Sequence, residues 1–160
     1  MRHGRRLCEA GVRVVEICQP GWDHHNNLHS GLVDRCRSVD QPTAALLADL
    51  AQRGLLDETL VLFGSEFGRQ PTAQGADGRD HNITGYSMWL AGAGVKPGFS
   101  YGGTDEYGVA AVEGRMHTND LHATLLALMG LDHERLTFPY AGRDFRLTDV
   151  GGRVAREIFA

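Results

Sequence analysis

The apolar positions of the chain fall into short runs separated by polar, glycine-rich stretches, and the period of each run predicts its element. Arg2 to Ala10, with Leu7 and Ala10 as apolar points, reads as the tail of a helix that Gly11 caps. Val12 to Cys18 alternates and is β-branched, which predicts a strand ended by Gln19-Pro20-Gly21. From Val33 the period turns helical. Asp40-Gln41-Pro42 then leads into Thr43 to Arg53, with Leu46, Leu47 and Leu50 on one face and Gly54 as the stop. Thr59 to Phe63 and Tyr86 to Ala91 are apolar runs of strand length. Strand, helix and strand with a crossover of this length form a right-handed βαβ unit, so neighbouring parallel strands are expected. Gln70 to Gly85 is too polar for core and is expected as a loop. Further on, the pattern predicts an antiparallel excursion around Val109 to Val112. Thr118-Asn119-Asp120 caps a helix bearing Leu121, Leu125, Leu126, Leu128 and Met129, there is a turn at Gly142, and a C-terminal helix carries Val154, Ile158 and Phe159.

Composition narrows the function classes. A chain of 160 residues is one domain's worth and can bury a core. A net charge of -4 argues against a nucleic-acid surface, because phosphate binding needs a basic face. No apolar run reaches the length of a membrane span, and the basic start is not followed by an apolar signal region, so nothing in this chain itself directs export. Cys8, Cys18 and Cys36 are odd in number and share no metal-ligand spacing, so they read as reduced thiols.

The polar clusters carry the candidate chemistry. Glu66 lies just past the Thr59 to Phe63 run, and Asp80 and His81 lie just before the next apolar run. In Trp22 to His29, an extended loop would send Asp23, His25 and Asn27 to one side and His24 to the other. Asp23, His25, Glu66, Asp80 and His81 are therefore the candidate metal ligands, oxygen and nitrogen donors suited to Zn, Mn or Mg. A hydrogen-bonded polar loop is the plain alternative. Arg69 is the candidate catalytic residue, a guanidinium able to clamp a phosphate or sulfate, or else an ion-pair partner of Asp77 or Asp80. His117 could face the site or cap its helix. Ser65 reads as structural, since Gly64-Ser65-Glu66-Phe67-Gly68 is not a G-x-S-x-G elbow. Gly92-Ala93-Gly94 lacks the third glycine and the helix of a phosphate loop.

Six ordered motifs then carry a resemblance. They are Gly21-Trp22-Asp23-x-His25-x-Asn27, Ser65-Glu66-Phe67-Gly68-Arg69, Asp77-Gly78-Arg79-Asp80-His81, Met88-Trp89-Leu90-Ala91-Gly92, His117-x-x-Asp120-Leu121-His122-Ala123-Thr124 and Ala141-Gly142-Arg143-Asp144-Phe145-Arg146. Over nearly the whole chain they resemble the C-terminal part of the bacterial family called domain of unknown function 1501, a sulfatase-like branch of the alkaline phosphatase superfamily. The resemblance implies an α/β fold with a mostly parallel, doubly wound sheet. It also implies a hydrolase of small anionic sulfate or phosphate esters that depends on a divalent metal ion (Zn, Mn, Ca or Mg). Asp23, His25 and His81 would bind one ion, and Glu66 would be shared with or belong to a second. Two departures are visible: Glu66-Phe67 stands where the superfamily has Asp-His, and the superfamily's first metal Asp and its nucleophile lie upstream of the matched motifs. The resemblance therefore implies one sulfatase-like domain over 1–160 that is the C-terminal fragment of a longer one, inactive alone, from an exported or periplasmic parent. The other reading is a non-catalytic exported or surface protein that keeps the fold with at most a structural metal.

Overall fold

The computed structural model describes residues 2–160. Helix α1 (Arg2–Glu9) ends where expected, with Gly11 at φ 88 just beyond it. It leans on α2 (Leu28–Gln52) through Arg5, a buried guanidinium that pairs with Glu9 and, at 2.8 Å, with Asp49. The two helical stretches expected around residue 40 are one helix that runs through Pro42. Proline there removes a backbone bond and crowds the preceding turn. Anchoring of the downstream half, where Leu50 is 2 % exposed, offsets that cost.

Four strands follow: β1 (Val61–Phe63), β2 (Gly68–Gln74), β3 (Gly78–Asn82) and β4 (Trp89–Ala91). β1 and β4 pair antiparallel from Val61 opposite Ala91 to Phe63 opposite Trp89, and β2 and β3 form a hairpin nested between them. β5 (Gly103–Thr104) pairs with β6 (Ala111–Glu113), which agrees with the antiparallel excursion expected there. β7 (Thr137–Tyr140) pairs with β8 (Arg143–Arg146) around the turn at Ala141-Gly142.

Every sheet among the described residues is two-stranded and antiparallel, which overturns the expected mostly parallel, doubly wound α/β sheet. The expectation rested on Val12 to Cys18 as the first strand of a βαβ unit. That segment takes no strand partner, and Val14 is 77 % exposed. Without it the Val61–Phe63 run has no parallel neighbour and pairs with the next apolar run instead. The supposed loop Gln70 to Gly85 is mostly the β2–β3 hairpin, turned at Gly75 with φ 62. Polar side chains on both faces gave it no alternation to read.

Helix α3 (Thr118–Leu128) is capped by His117, whose Nδ1 accepts from the Asn119 N–H at 3.2 Å; Asp120 accepts from the His117 N–H at 2.9 Å. The C-terminal helix is only a 3-10 turn, Arg156–Ile158. Its backbone bonds outward instead, Lys96 N–H to Ile158 O and Ala160 N–H to Gly94 O, both at 2.8 Å. Buried apolar side chains are few: Leu50, Ala123, Leu126, Ala155 and Ile158. The accessible surface is 11103 Å², about 3,200 Å² above the roughly 7,900 Å² that a folded chain of this mass presents. Among the described residues no helix is long and apolar enough to cross a membrane, and all three cysteines are free.

Candidate metal centre

The site forms where the Trp22 to Leu28 loop lies across the β2–β3 hairpin. Backbone bonds hold it there: Arg79 N–H to His24 O and Leu28 N–H to Asp77 O, each 3.0 Å, with the Asp77 carboxylate accepting from Asn27 N–H at 3.0 Å. The approach is close because Gly78 has no side chain; a Cβ there would fall on the His25 carbonyl. Arg69 and His81 are cross-strand partners, so both reach the loop from one face of the hairpin.

Three donors converge. His25 Nε2 lies 2.9 Å from Asp23 Oδ1, His81 Nε2 lies 3.1 Å from the same oxygen, and the two Nε2 atoms are 3.1 Å apart. Donors bound about 2.0–2.2 Å from a tetrahedral ion sit about 3.3–3.6 Å from one another, so the trio needs to open by only about half an ångström to receive one. Among the described residues these are the His, Cys, Asp and Glu side chains grouped closely enough to share an ion. Three protein donors leave a position open, as catalytic zinc sites do.

The surroundings fix their states. Arg69 Nη2 bonds Asp23 Oδ1 at 2.6 Å, and this bond, followed by the His81 contact, holds the Asp23 carboxyl down at about 2 from 3.8. Asp23 is thus an anion throughout the neutral range. Gln74 Oε1 lies 2.6 Å from His25 Nδ1, and the Phe67 ring packs on the His81 ring with centroids 4.2 Å apart.

Of the five sequence-derived ligands, Asp23, His25 and His81 come together and Glu66 and Asp80 stand outside the group. Adjacent residues of a strand point to opposite faces, so Asp80 turns away from His81's side, and its carboxylate accepts from the His81 N–H at 2.8 Å. Glu66 is exposed, while its neighbour Phe67 faces His81. Arg69 pairs with Asp23 instead of Asp77 or Asp80, and also donates to the Trp22 and Arg79 carbonyls at 3.4 and 3.2 Å. Ser65 donates to the Phe67 carbonyl. His24 leaves the site and packs beside Gly31 of α2. Gln74, Gly78 and Phe67 escaped the sequence reading as site residues, because only recognition of the hairpin would have placed them.

The family described as "Protein of unknown function (DUF1501)" matches residues 3–159. Among curated proteins and among solved structures nothing matches the chain.

Proposed function

This chain belongs to the DUF1501 family, and from that premise we propose that Asp23, His25 and His81 hold one divalent cation in the metal-binding part of a sulfatase- or phosphatase-like hydrolase of small anionic esters. The observation that carries the cation is the meeting of three donors from segments 56 and 58 residues apart. The ester class, and an exported or periplasmic setting, rest on the motif resemblance. Two imidazoles and one carboxylate favour zinc or manganese over calcium and magnesium, which prefer all-oxygen shells. When bound, the ion would polarise the ester oxygen and stabilise the leaving group.

The chain's own residues prepare the place. Arg69 keeps Asp23 ionised and fixes Oδ1, so in this arrangement it acts as a positioning residue. Phe67 shields one face of the His81 ring from water. Ser65 donates its hydroxyl to the Phe67 carbonyl, and because the resemblance puts the family's nucleophile upstream of the matched motifs, negligible turnover by this chain alone is the expected outcome. Calorimetric titration with Zn, Mn, Mg and Ca tests the reading: Zn and Mn bind, and His81→Ala abolishes binding. A wild-type chain that takes up neither metal overturns it, and dialysis-sensitive hydrolysis of aryl sulfate or aryl phosphate overturns the inactivity.

One observation favours a second reading. Asp23 Oδ1 already accepts from Arg69 and lies within reach of both imidazoles, so the cluster can fasten the loop without a metal. The chain would then be a non-catalytic protein with at most a structural metal. If the cluster holds no metal, chelation leaves the thermal midpoint unchanged while Asp23→Ala lowers it; if it holds a structural metal, both lower it.

A further inference from the structure

On elements that the metal centre does not use, where α3 ends and the last residues of the chain pass it, lies a cavity of about 470 Å³, the size of a small-molecule site. Local chemistry shapes it. Gly130, at φ 75, stops the helix, and the Asp132 carboxylate then accepts from the Glu134 and Arg135 N–H groups at 2.9 and 3.3 Å and closes a tight turn. From the other side the Ala155 N–H donates to Thr124 Oγ1 at 3.0 Å and fastens the C-terminal stretch to α3. Leu131, Val154 and Phe159 give the cavity apolar walls, and Asp132, Glu134 and Arg156 bring charge to it from exposed positions.

His133 marks the cavity as a binding site. The residue is 8 % exposed, and its Nδ1 is held by Thr148 Oγ1 at 2.9 Å, while its Nε2 has no partner in the protein. Unlike the sealed, unpartnered Nε2 of His24, this nitrogen keeps contact with solvent, and since His133 lines the cavity that contact runs through it. A ring nitrogen so deeply placed and unpaired carries a desolvation cost that a ligand's hydrogen bond removes. The Thr148 hydroxyl both donates and accepts, so the ring is free to accept from a ligand or to donate to it.

We infer that this cavity binds a small zwitterion with an apolar body, the chemistry of a free amino acid with a hydrocarbon or aromatic side chain. Two acids and the negative, C-terminal end of the α3 dipole suit an ammonium group. Arg156 suits a carboxylate. Glu134 reaches Arg146 at 3.7 Å and Glu157 pairs with Arg153 at 3.2 Å, which leaves Arg156 without an acidic partner among the described residues. A plain amine would leave that guanidinium unused, and a plain carboxylate would face the two acids. The apolar walls receive the side chain.

The test is titration calorimetry of the full chain with L-phenylalanine and with three analogues that each lack one feature: phenethylamine, hydrocinnamate and glycine. Phenylalanine is expected to saturate one site, with each analogue at least about tenfold weaker, the worth of one charge-assisted bond or of a buried side chain. Arg156→Gln is expected to bring phenylalanine down to the affinity of phenethylamine, and Glu134→Gln to weaken it less, since Asp132 remains. Both positions are exposed, so the fold is kept. The NMR signals of the His133 ring are expected to shift as phenylalanine is added, which binding elsewhere on the chain would not cause. Absence of saturable phenylalanine binding, or binding that leaves the His133 ring signals unmoved, overturns the inference. Phenethylamine binding as tightly as phenylalanine, or full affinity in Arg156→Gln, overturns the assignment of a zwitterion.

Discussion

His25 and His81 present their Nε2 atoms to each other at 3.1 Å beside a single carboxylate oxygen of Asp23. Two neutral nitrogens at that distance attract only if one carries a hydrogen; otherwise their lone pairs repel, and a cation relieves the repulsion. Zinc at one hundred times its dissociation constant should therefore stabilise the fold by about 2.7 kcal/mol. Thermal scans of the wild type should show the rise, and scans of His25→Ala and His81→Ala should show none. An equal rise in either variant would place the zinc elsewhere.

Gly78 should tolerate no side chain. A Cβ there meets the His25 carbonyl and the Asn26 nitrogen, backbone atoms that cannot swing aside. Gly78→Ala should lower stability by about 1–3 kcal/mol, as overpacking does, and weaken zinc binding more than tenfold. Gly75→Ala is the control: that position is open but has φ 62, so the substitution strains the turn and leaves the zinc affinity intact.

Asp120 should confer an acid-sensitive contribution. Burial pushes its carboxyl up, but backbone hydrogen bonds from Arg153, at 2.6 Å, and His117, at 2.9 Å, outweigh it and leave the group below 3.8. A carboxyl lowered in the folded state stabilises it fully above 3.8, and the benefit fades as pH falls through the lowered value. Asp120→Asn should cost about 0.5–2 kcal/mol at neutral pH, the range for a lost helix cap, and flatten the acid limb of the stability profile. Urea melts between pH 2 and 7 would read both.

Leu50 holds α2 to the chain that follows it, where the Leu55 N–H returns to the Leu50 carbonyl at 2.9 Å. With so few buried apolar side chains to share the load, Leu50→Ala should cost about 2–5 kcal/mol. A loss below 1 kcal/mol in urea denaturation would show that this part of α2 is not anchored by burial.

The sequence was legible where local chemistry decides. The helix over Leu121 to Leu128 and the turn at Gly142 needed only their own residues, and the nearness of the Asp23 and His25 side chains followed from a two-residue spacing. It misled where an element depends on a distant partner. Val12 to Cys18 has the alternation of a strand but nothing to pair with, and the β2–β3 hairpin is held by Gly75 and by a loop some fifty residues upstream. Asp80 and Glu66 were named as ligands from their nearness in sequence to His81 and the strand end; the pleat of β3 and the turn before β2 point them elsewhere.

The extra surface that the folded chain leaves in water also shapes its calorimetry. Unfolding exposes about a fifth less surface than is usual for this mass, so the heat-capacity increment should fall short of the usual ~12–15 cal/mol/K per residue, and the urea m-value should shrink with it. The stability curve then becomes shallow. A scanning calorimeter would record a smaller heat-capacity step across the transition than a chain of this mass usually gives.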